Sequence, residues 1–89
     1  MKKLSPFHLA IPVNNLEKCR KFYRDILELN EGRSSSNWVD FDFFGHQLVC
    51  HVSECINDEI TNPVDRENVP VPHFGVVLSI EDFEEFLFK

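Results

Sequence analysis

Pro6-Phe7-His8-Leu9-Ala10-Ile11-Pro12-Val13-Asn14 is the stretch that decides the fold, because a related stretch, Pro72-His73-Phe74-Gly75-Val76-Val77-Leu78-Ser79, follows near the end of the sequence. In each copy a histidine opens an alternating strand, and a helix start signal comes directly after it. The copies match at three positions, 65 residues apart: His8 with His73, Asn14 with Ser79, and Glu17 with Asp82. A repeat of this kind predicts two related modules that can bring their histidines to one place.

The first copy continues into a helix. Residues 7–13 alternate apolar and smaller or polar side chains, which predicts a half-buried strand, and Pro12 confines that strand to an edge or a strand end. Asn14 to Glu17 resembles a capping box and predicts a helix start. Apolar residues then recur at helical spacing, which predicts a helix over 15–28 with one buried stripe. The stripe consists of Leu16, Cys19, Phe22, Tyr23, Ile26 and Leu27.

Three short strands are predicted after the helix. A strand around 29–35 is followed by two alternating segments, 38–44 and 47–52, which Gly45 joins by a tight turn. Residues 54–72 contain three prolines and predict an irregular connector or lid. The fold class is therefore α+β: a first βαβββ module over 1–56, a linker over 57–72, and a truncated second module over 73–89 that holds one strand and one helix.

The last helix is predicted either to be part of a truncated module or to borrow its partner surface from another chain. Phe83, Phe86 and Leu87 form an apolar stripe with nothing after it in the sequence to cover it. A homodimer, or a swapped assembly in which a second chain supplies the partner surface, would bury this stripe.

Composition restricts the function classes. The chain has 89 residues, 43% of them hydrophobic and 27% charged, which fits one small folded domain. The net charge of −6 disfavours nucleic acid as a partner. Three cysteines without CxxC spacing predict reduced thiols and a cytoplasmic location. No stretch approaches the roughly 20 apolar residues needed to cross a membrane.

The two histidines are the candidate metal ligands. His8 and His73 are each followed, two positions on, by a small residue that leaves room in front of the imidazole. Two imidazoles and one carboxylate are a common ligand set for a catalytic divalent metal. By the repeat, the carboxylate belongs on a strand equivalent to 47–51, where Val49 occupies the expected register in the first copy. A solvent-facing histidine at a strand start is the alternative for each.

Other side chains of the first module are candidates for lining a substrate pocket. His51 and Gln47 are predicted on the same strand face, and Asp40 and Asp42 lie on the neighbouring strand. Trp38 is predicted to form a pocket wall or an interface. No glycine-rich phosphate loop, Ser-His-Asp order or HExxH motif is present.

These segments resemble the vicinal oxygen chelate superfamily, which includes glyoxalases, bleomycin resistance proteins and extradiol dioxygenases. The resemblance rests on residues 6–13, on the start of the second copy at 72–76, and on the helix segment 20–27. That helix segment is similar to the family's FYxxxLG signature, with Leu29-Asn30 in place of the usual glycine.

The resemblance implies a fold and two possible functions. Paired βαβββ modules would form a cup around a divalent metal (Fe, Mn, Zn, Ni or Co) held by His8, His73 and a glutamate that nothing in this sequence matches. Such a protein would be a metal-dependent lyase, isomerase or dioxygenase that chelates vicinal oxygens of a small substrate. The bleomycin-resistance branch implies instead a metal-free protein that sequesters a small ligand between two subunits.

Overall fold

A computed structural model describes residues 5–54, 60–70 and 72–88. The chain divides into two compact units, Met1–Asn57 and Asp58–Lys89. The first unit consists of β1 (His8–Val13), α1 (Leu16–Cys19) with a π-helical continuation (Arg20–Ile26), β2 (Glu31–Ser34), β3 (Trp38–Phe43) and β4 (His46–Val52). The second unit consists of β5 (Thr61–Val64), β6 (Glu67–Pro70) and α2 (Ile80–Leu87).

The first unit is a βαβββ module, as the sequence predicts. Its four strands lie in the order β1-β4-β3-β2, so that β1 occupies an edge, where Pro12 is tolerated. β1 pairs with β4 in parallel, whereas β4 with β3 and β3 with β2 are antiparallel. The predicted alternation is confirmed in β1 and β3, since one face of each is more buried than the other.

The core lies between the sheet and the first helix. Val39 and Phe41 of β3 and Cys50 of β4 are almost fully buried, and Cys19 of α1 packs with them. Partly buried apolar residues complete this layer: Ile11, Val13, Leu16 and Tyr23. Burial raises the pKa of the Cys50 thiol to about 12, with Cys19 adding to the effect. Cys50 is therefore a neutral core side chain rather than a reactive thiolate.

The first helix begins one residue later than the sequence predicts. Asn15, in extended conformation, is the N-cap, and its side chain accepts a hydrogen bond from the Lys18 backbone N–H. The prediction of a capping box formed by Asn14 and Glu17 is therefore wrong. In the second unit the expected cap is confirmed, because the Ser79 hydroxyl accepts from the Asp82 N–H.

The predicted apolar stripe of this helix is only partly buried. Phe22 is 46% exposed and Ile26 is 65% exposed. The reason is the π-helical segment: its wider i→i−5 hydrogen bonds, such as Leu27 N–H to Phe22 C=O, break the 3.6-residue periodicity on which the stripe was predicted. Glu28 follows this segment and has a φ of 58°, in the left-handed region that favours glycine. The position where the family signature has glycine therefore corresponds in conformation to Glu28, and not to Leu29-Asn30.

A hairpin lies within the predicted irregular connector. β5 and β6 pair in antiparallel register with Val64 opposite Glu67, which leaves Asp65 and Arg66 as a two-residue turn. Both turn residues have positive φ, as a type I′ turn requires. The prediction of an irregular chain over 54–72 is therefore wrong for residues 61–70. Residues 55–59 and 71 lie outside the described residues.

The predicted strand over 73–79 is not formed. These residues have no ladder partner in the described part of the second unit, where β5 and β6 pair with each other. A strand exists only with a partner, and in the first unit β1 obtains its partner from β4.

Within the described residues, no helix is long and apolar enough to cross a membrane. Cys19 and Cys50 are free thiols, as expected for these two cysteines, and Cys55 lies outside the described residues. The cytoplasmic location itself stays a prediction.

Candidate functional site

The predicted site residues of the first unit lie together on one face of the sheet. This face, which we call the open face, is the side of β1, β4 and β3 opposite the helix. Pairing arranges it in three rows: His8, Gln47 and Asp42; then Ala10, Val49 and Asp40; then Pro12, His51 and Trp38. Strand pairing therefore brings together five predicted side chains that are far apart in sequence: His8, Gln47, Asp40, His51 and Trp38.

His8 is held by its neighbour on β4. The Gln47 side-chain oxygen lies 2.9 Å from His8 Nδ1, and an amide oxygen can only accept. In the neutral imidazole, this contact assigns the ring proton to Nδ1 and the lone pair to Nε2. Ala10, the next residue of β1 on this face, is small and leaves space beside the imidazole.

Gln47 is the residue of β4 directly opposite His8. Register pairs His8 with Gln47 and Ala10 with Val49, so Val49 lies one row away and is buried. The assignment of the carboxylate's register to Val49 stays a prediction.

His73 has the same proton arrangement in the second unit. Its Nδ1 lies 2.7 Å from the Pro70 carbonyl oxygen, so Nδ1 donates and Nε2 is left with its lone pair. His46 differs, because its Nδ1 accepts the Phe7 N–H at 2.7 Å and its proton is therefore on Nε2. The assignment of His8 and His73 to one metal stays a prediction.

Asp40 supports the neighbouring strand β2. One of its carboxylate oxygens accepts the Arg33 N–H at 2.7 Å and lies against Gly32. At this point the pairing of β2 with β3 shifts register between Glu31 and Ser34. An irregularity of this kind redirects a side chain. The role predicted for Asp40 in substrate binding stays a prediction.

The redirected side chain is that of Arg33, which sequence reasoning missed. Its guanidinium carbon lies 5.6 Å from the centre of the Trp38 ring, and the Trp38 and His51 rings are 6.4 Å apart. The signal that could have found Arg33 is Gly32, since a glycine inside a strand often marks a bulge.

A second feature of the first unit is a cavity of about 260 Å³. Asp40, Asp42 and Gln47 contribute to its walls, together with His46 and Gly32. Asp42 also accepts the Gly45 N–H at 2.8 Å in the turn between β3 and β4. Within residues 5–54, 60–70 and 72–88, no group of three or more His, Cys, Asp or Glu side chains could hold a metal ion.

Comparison with known structures gives a family. The chain is similar to a crystal structure of a glyoxalase/bleomycin resistance protein/dioxygenase from Alicyclobacillus acidocaldarius, with 31% sequence identity and a TM-score of 0.73. The similarity covers 97% of this chain and 61% of that chain, so this chain spans less than two thirds of its relative. No family model matches the sequence, and no curated protein is similar to it.

Proposed function

The chain belongs to the vicinal oxygen chelate superfamily, and from that premise we propose that His8 and His73 are ligands of a divalent metal that binds vicinal oxygens of a small substrate. The activity would be that of a metal-dependent lyase, isomerase or dioxygenase of the glyoxalase type. Because this chain spans 61% of its relative, the activity of the whole protein is part of the proposal.

The observation that carries the proposal is that Nδ1 of each of the two histidines lies within hydrogen-bond distance of an oxygen. In each, Nδ1 donates to an oxygen, Gln47 Oε1 in one case and the Pro70 carbonyl in the other. Metal-binding histidines usually donate their second ring N–H to an oxygen in this way, which fixes the tautomer and the ring orientation. The free Nε2 is then the donor atom offered to a metal.

The donor set fits a divalent metal in part. Imidazole nitrogen suits Zn, Fe, Ni, Co and Mn, and the described residues do not complete a three-ligand group. A bound metal would supply Lewis acidity, or redox chemistry if it were iron. Gln47 would orient His8, Ala10 would leave room for the substrate, and His51 and Trp38 would form the wall of the open face.

Titration with Co²⁺ in the full chain tests this proposal, with binding followed calorimetrically and by the visible spectrum. We expect His8→Ala and His73→Ala each to weaken Co²⁺ binding at least ten-fold. The matched control is His46→Asn, which keeps an acceptor for the Phe7 N–H and should bind like the unmodified chain. Equal binding by the unmodified chain and the His8→Ala/His73→Ala double variant would remove both residues from the metal site.

The second candidate function is metal-free binding of a small ligand, as implied by the bleomycin-resistance branch. The aromatic pair Trp38 and His51 on an exposed face favours it, because such a surface can hold a ligand without a metal. Ligand binding that survives both EDTA and the His8→Ala/His73→Ala double variant would support this function over the first.

We further propose that the chain forms a homodimer. Phe83 and Leu87 of α2 remain more than half exposed, which is unusual for large apolar side chains on one helix face. Sedimentation at micromolar concentration tests this point, and a monomer would contradict it.

A further inference from the structure

We propose that Arg33, Trp38 and His51 form a binding subsite for an aromatic monocarboxylate. The three side chains lie at the end of the open face remote from His8. The subsite is built entirely within the first unit and does not depend on a metal. It deepens the proposed function by naming a class of ligand for the same face.

The backbone of β2 is shaped to present Arg33. Between Glu31 and Ser34 the register with β3 shifts, and the extra residue leaves Arg33 on the side of Trp38. Asp40 stabilises this shape by accepting the Arg33 N–H, and Gly32 provides the space that the carboxylate occupies. The position of the Arg33 guanidinium therefore depends on this backbone arrangement as well as on the rotamer of its long side chain.

The guanidinium of Arg33 is available to a ligand. The ion pairs within the described ranges involve Arg20 and Arg24, and none involves Arg33. Its planar fork of N–H donors matches a carboxylate in a two-bond geometry. Packing against the Trp38 ring holds the fork in position before a ligand arrives.

The two rings supply the aromatic half of the subsite. Trp38 and His51 lie side by side with ring centres 6.4 Å apart and planes inclined by 39°. A planar ring can stack or pack edge-on against such a pair. Because Arg33 already covers part of the indole, a cationic ligand would be repelled there, whereas an anionic one would be attracted.

The charge of the protein explains why the carboxylate of the ligand needs Arg33. The net charge of −6 repels anions in general, so a carboxylate requires a local cation to bind. The two carboxylates of the open face are engaged with backbone N–H groups, Asp40 with Arg33 and Asp42 with Gly45. Arg33 can therefore act on the ligand instead of pairing with a neighbouring acid.

The position of the subsite sets a length for the ligand. Trp38 and His51 share a row with Pro12, four residues along β1 from His8. At about 3.3 Å per residue this separates the two rows by about 13 Å. A ligand that contacts both this row and His8 would have to span about that distance.

The single tryptophan makes a direct experiment available. The chain contains one Trp, so its ¹H–¹⁵N spectrum has one indole N–H signal, which reports on the subsite. The metal-free full chain is titrated in EDTA with 3-phenylpropanoate and, separately, with the neutral 3-phenylpropanamide. We expect a saturable shift of the indole signal with the acid and at least ten-fold weaker binding of the amide.

Variants separate a specific contact from general electrostatics. Arg33→Gln should weaken binding of the acid at least ten-fold, and Arg33→Lys, which keeps the charge but loses the fork, should be intermediate. Lys18→Gln removes a cation from the helix of the same unit and should leave affinity unchanged. Equal binding of acid and amide, an equal loss in Lys18→Gln, or no saturable shift with either probe would overturn the subsite. Because no metal is present, none of these outcomes depends on His8 and His73.

Discussion

Replacing Gly32 by alanine should change the free energy of unfolding in opposite directions, depending on whether Asp40 is present. A Cβ at position 32 would meet the Asp40 carboxylate, and the three nearest atoms all belong to that side chain. The backbone at Gly32 is not in the left-handed region, so alanine adds no backbone strain. Asp40 is therefore the single obstacle to this substitution.

The magnitude follows from what the carboxylate must give up. To make room, the Asp40 carboxylate must break its hydrogen bond with the Arg33 N–H. A hydrogen bond to a charged group contributes about 1.5 kcal/mol at the low end of the usual range, and this value applies here because the segment is exposed. Alanine also reduces the entropy of the unfolded chain, which stabilises by about 0.7 kcal/mol. Gly32→Ala should therefore destabilise the protein by about 1 kcal/mol when Asp40 is present, and stabilise the Asp40→Ala variant by about 0.7 kcal/mol.

Urea denaturation of four proteins tests the prediction: the unmodified chain, Gly32→Ala, Asp40→Ala and the double variant. Trp38 fluorescence follows unfolding, since it is the only tryptophan and lies on the strand next to β2. The expected coupling energy between the two positions is about 1.5 kcal/mol. If Gly32→Ala had the same effect in both backgrounds, the contact with Asp40 would not control this position.

Three further predictions concern the core, the helix cap and pH. Phe41→Ala should lower the free energy of unfolding by about 3–5 kcal/mol, because its ring is 1% exposed, whereas Phe7→Ala, at 64% exposed, should cost far less in the same urea assay. Asn15→Ala should cost about 1 kcal/mol through loss of the cap, and Asn14→Ala should cost little, a difference that thermal unfolding measures. Burial raises the pKa of Cys50 from 9.0 to about 12, so the thiol loses its proton at lower pH in the unfolded chain than in the folded one. The free energy of unfolding should therefore fall as the pH rises over that range. Urea titrations at several pH values should show a weaker dependence of this free energy on pH in Cys50→Ala.

Several parts of the fold follow from local sequence pattern. Leu9, Ile11 and Val13 alternate along β1, and Val39 and Phe41 do so along β3, because the pleat of a strand sends successive side chains to opposite faces. These patterns are sufficient to place the core on one side of the sheet and the candidate site on the other.

The second hairpin could not be predicted because its signals are weak. Asp65-Arg66 forms a type I′ turn without the usual glycine or asparagine pair, and Pro63 and Pro70 argue against strands. A two-stranded ribbon has only edges, however, and at an edge proline is tolerated.

The neighbour of His8 could not be predicted because alternation does not define register. Gln47 and Val49 are two residues apart and share a face, so the pattern of β4 allows either beside His8. Choosing between them requires the pairing of two strands that are separated by the helix and two other strands.

The position of Arg33 could not be predicted because it depends on a register shift in β2. Residues 31–37 contain glycine, serines and asparagine, and predict a turn at least as strongly as a strand. The register shift that redirects Arg33 arises from the contact of Asp40 with Gly32 and Arg33, which lie seven or eight positions away from it. No periodic pattern reports a contact of that kind.

The edge position of β1 has a consequence for the order of folding. In the described part of the chain, β2 pairs with β3 and β3 with β4, whereas the one partner of β1 is β4. The His8–Gln47 contact spans 39 residues. Closing a loop of that size is slower than forming a local hairpin, so β1 should join the sheet last. During synthesis β1 leaves the ribosome before β4 and has no partner until β4 follows. The apolar side of β1 is exposed throughout that interval, and pulse-labelled hydrogen exchange should find its amides the last to become protected.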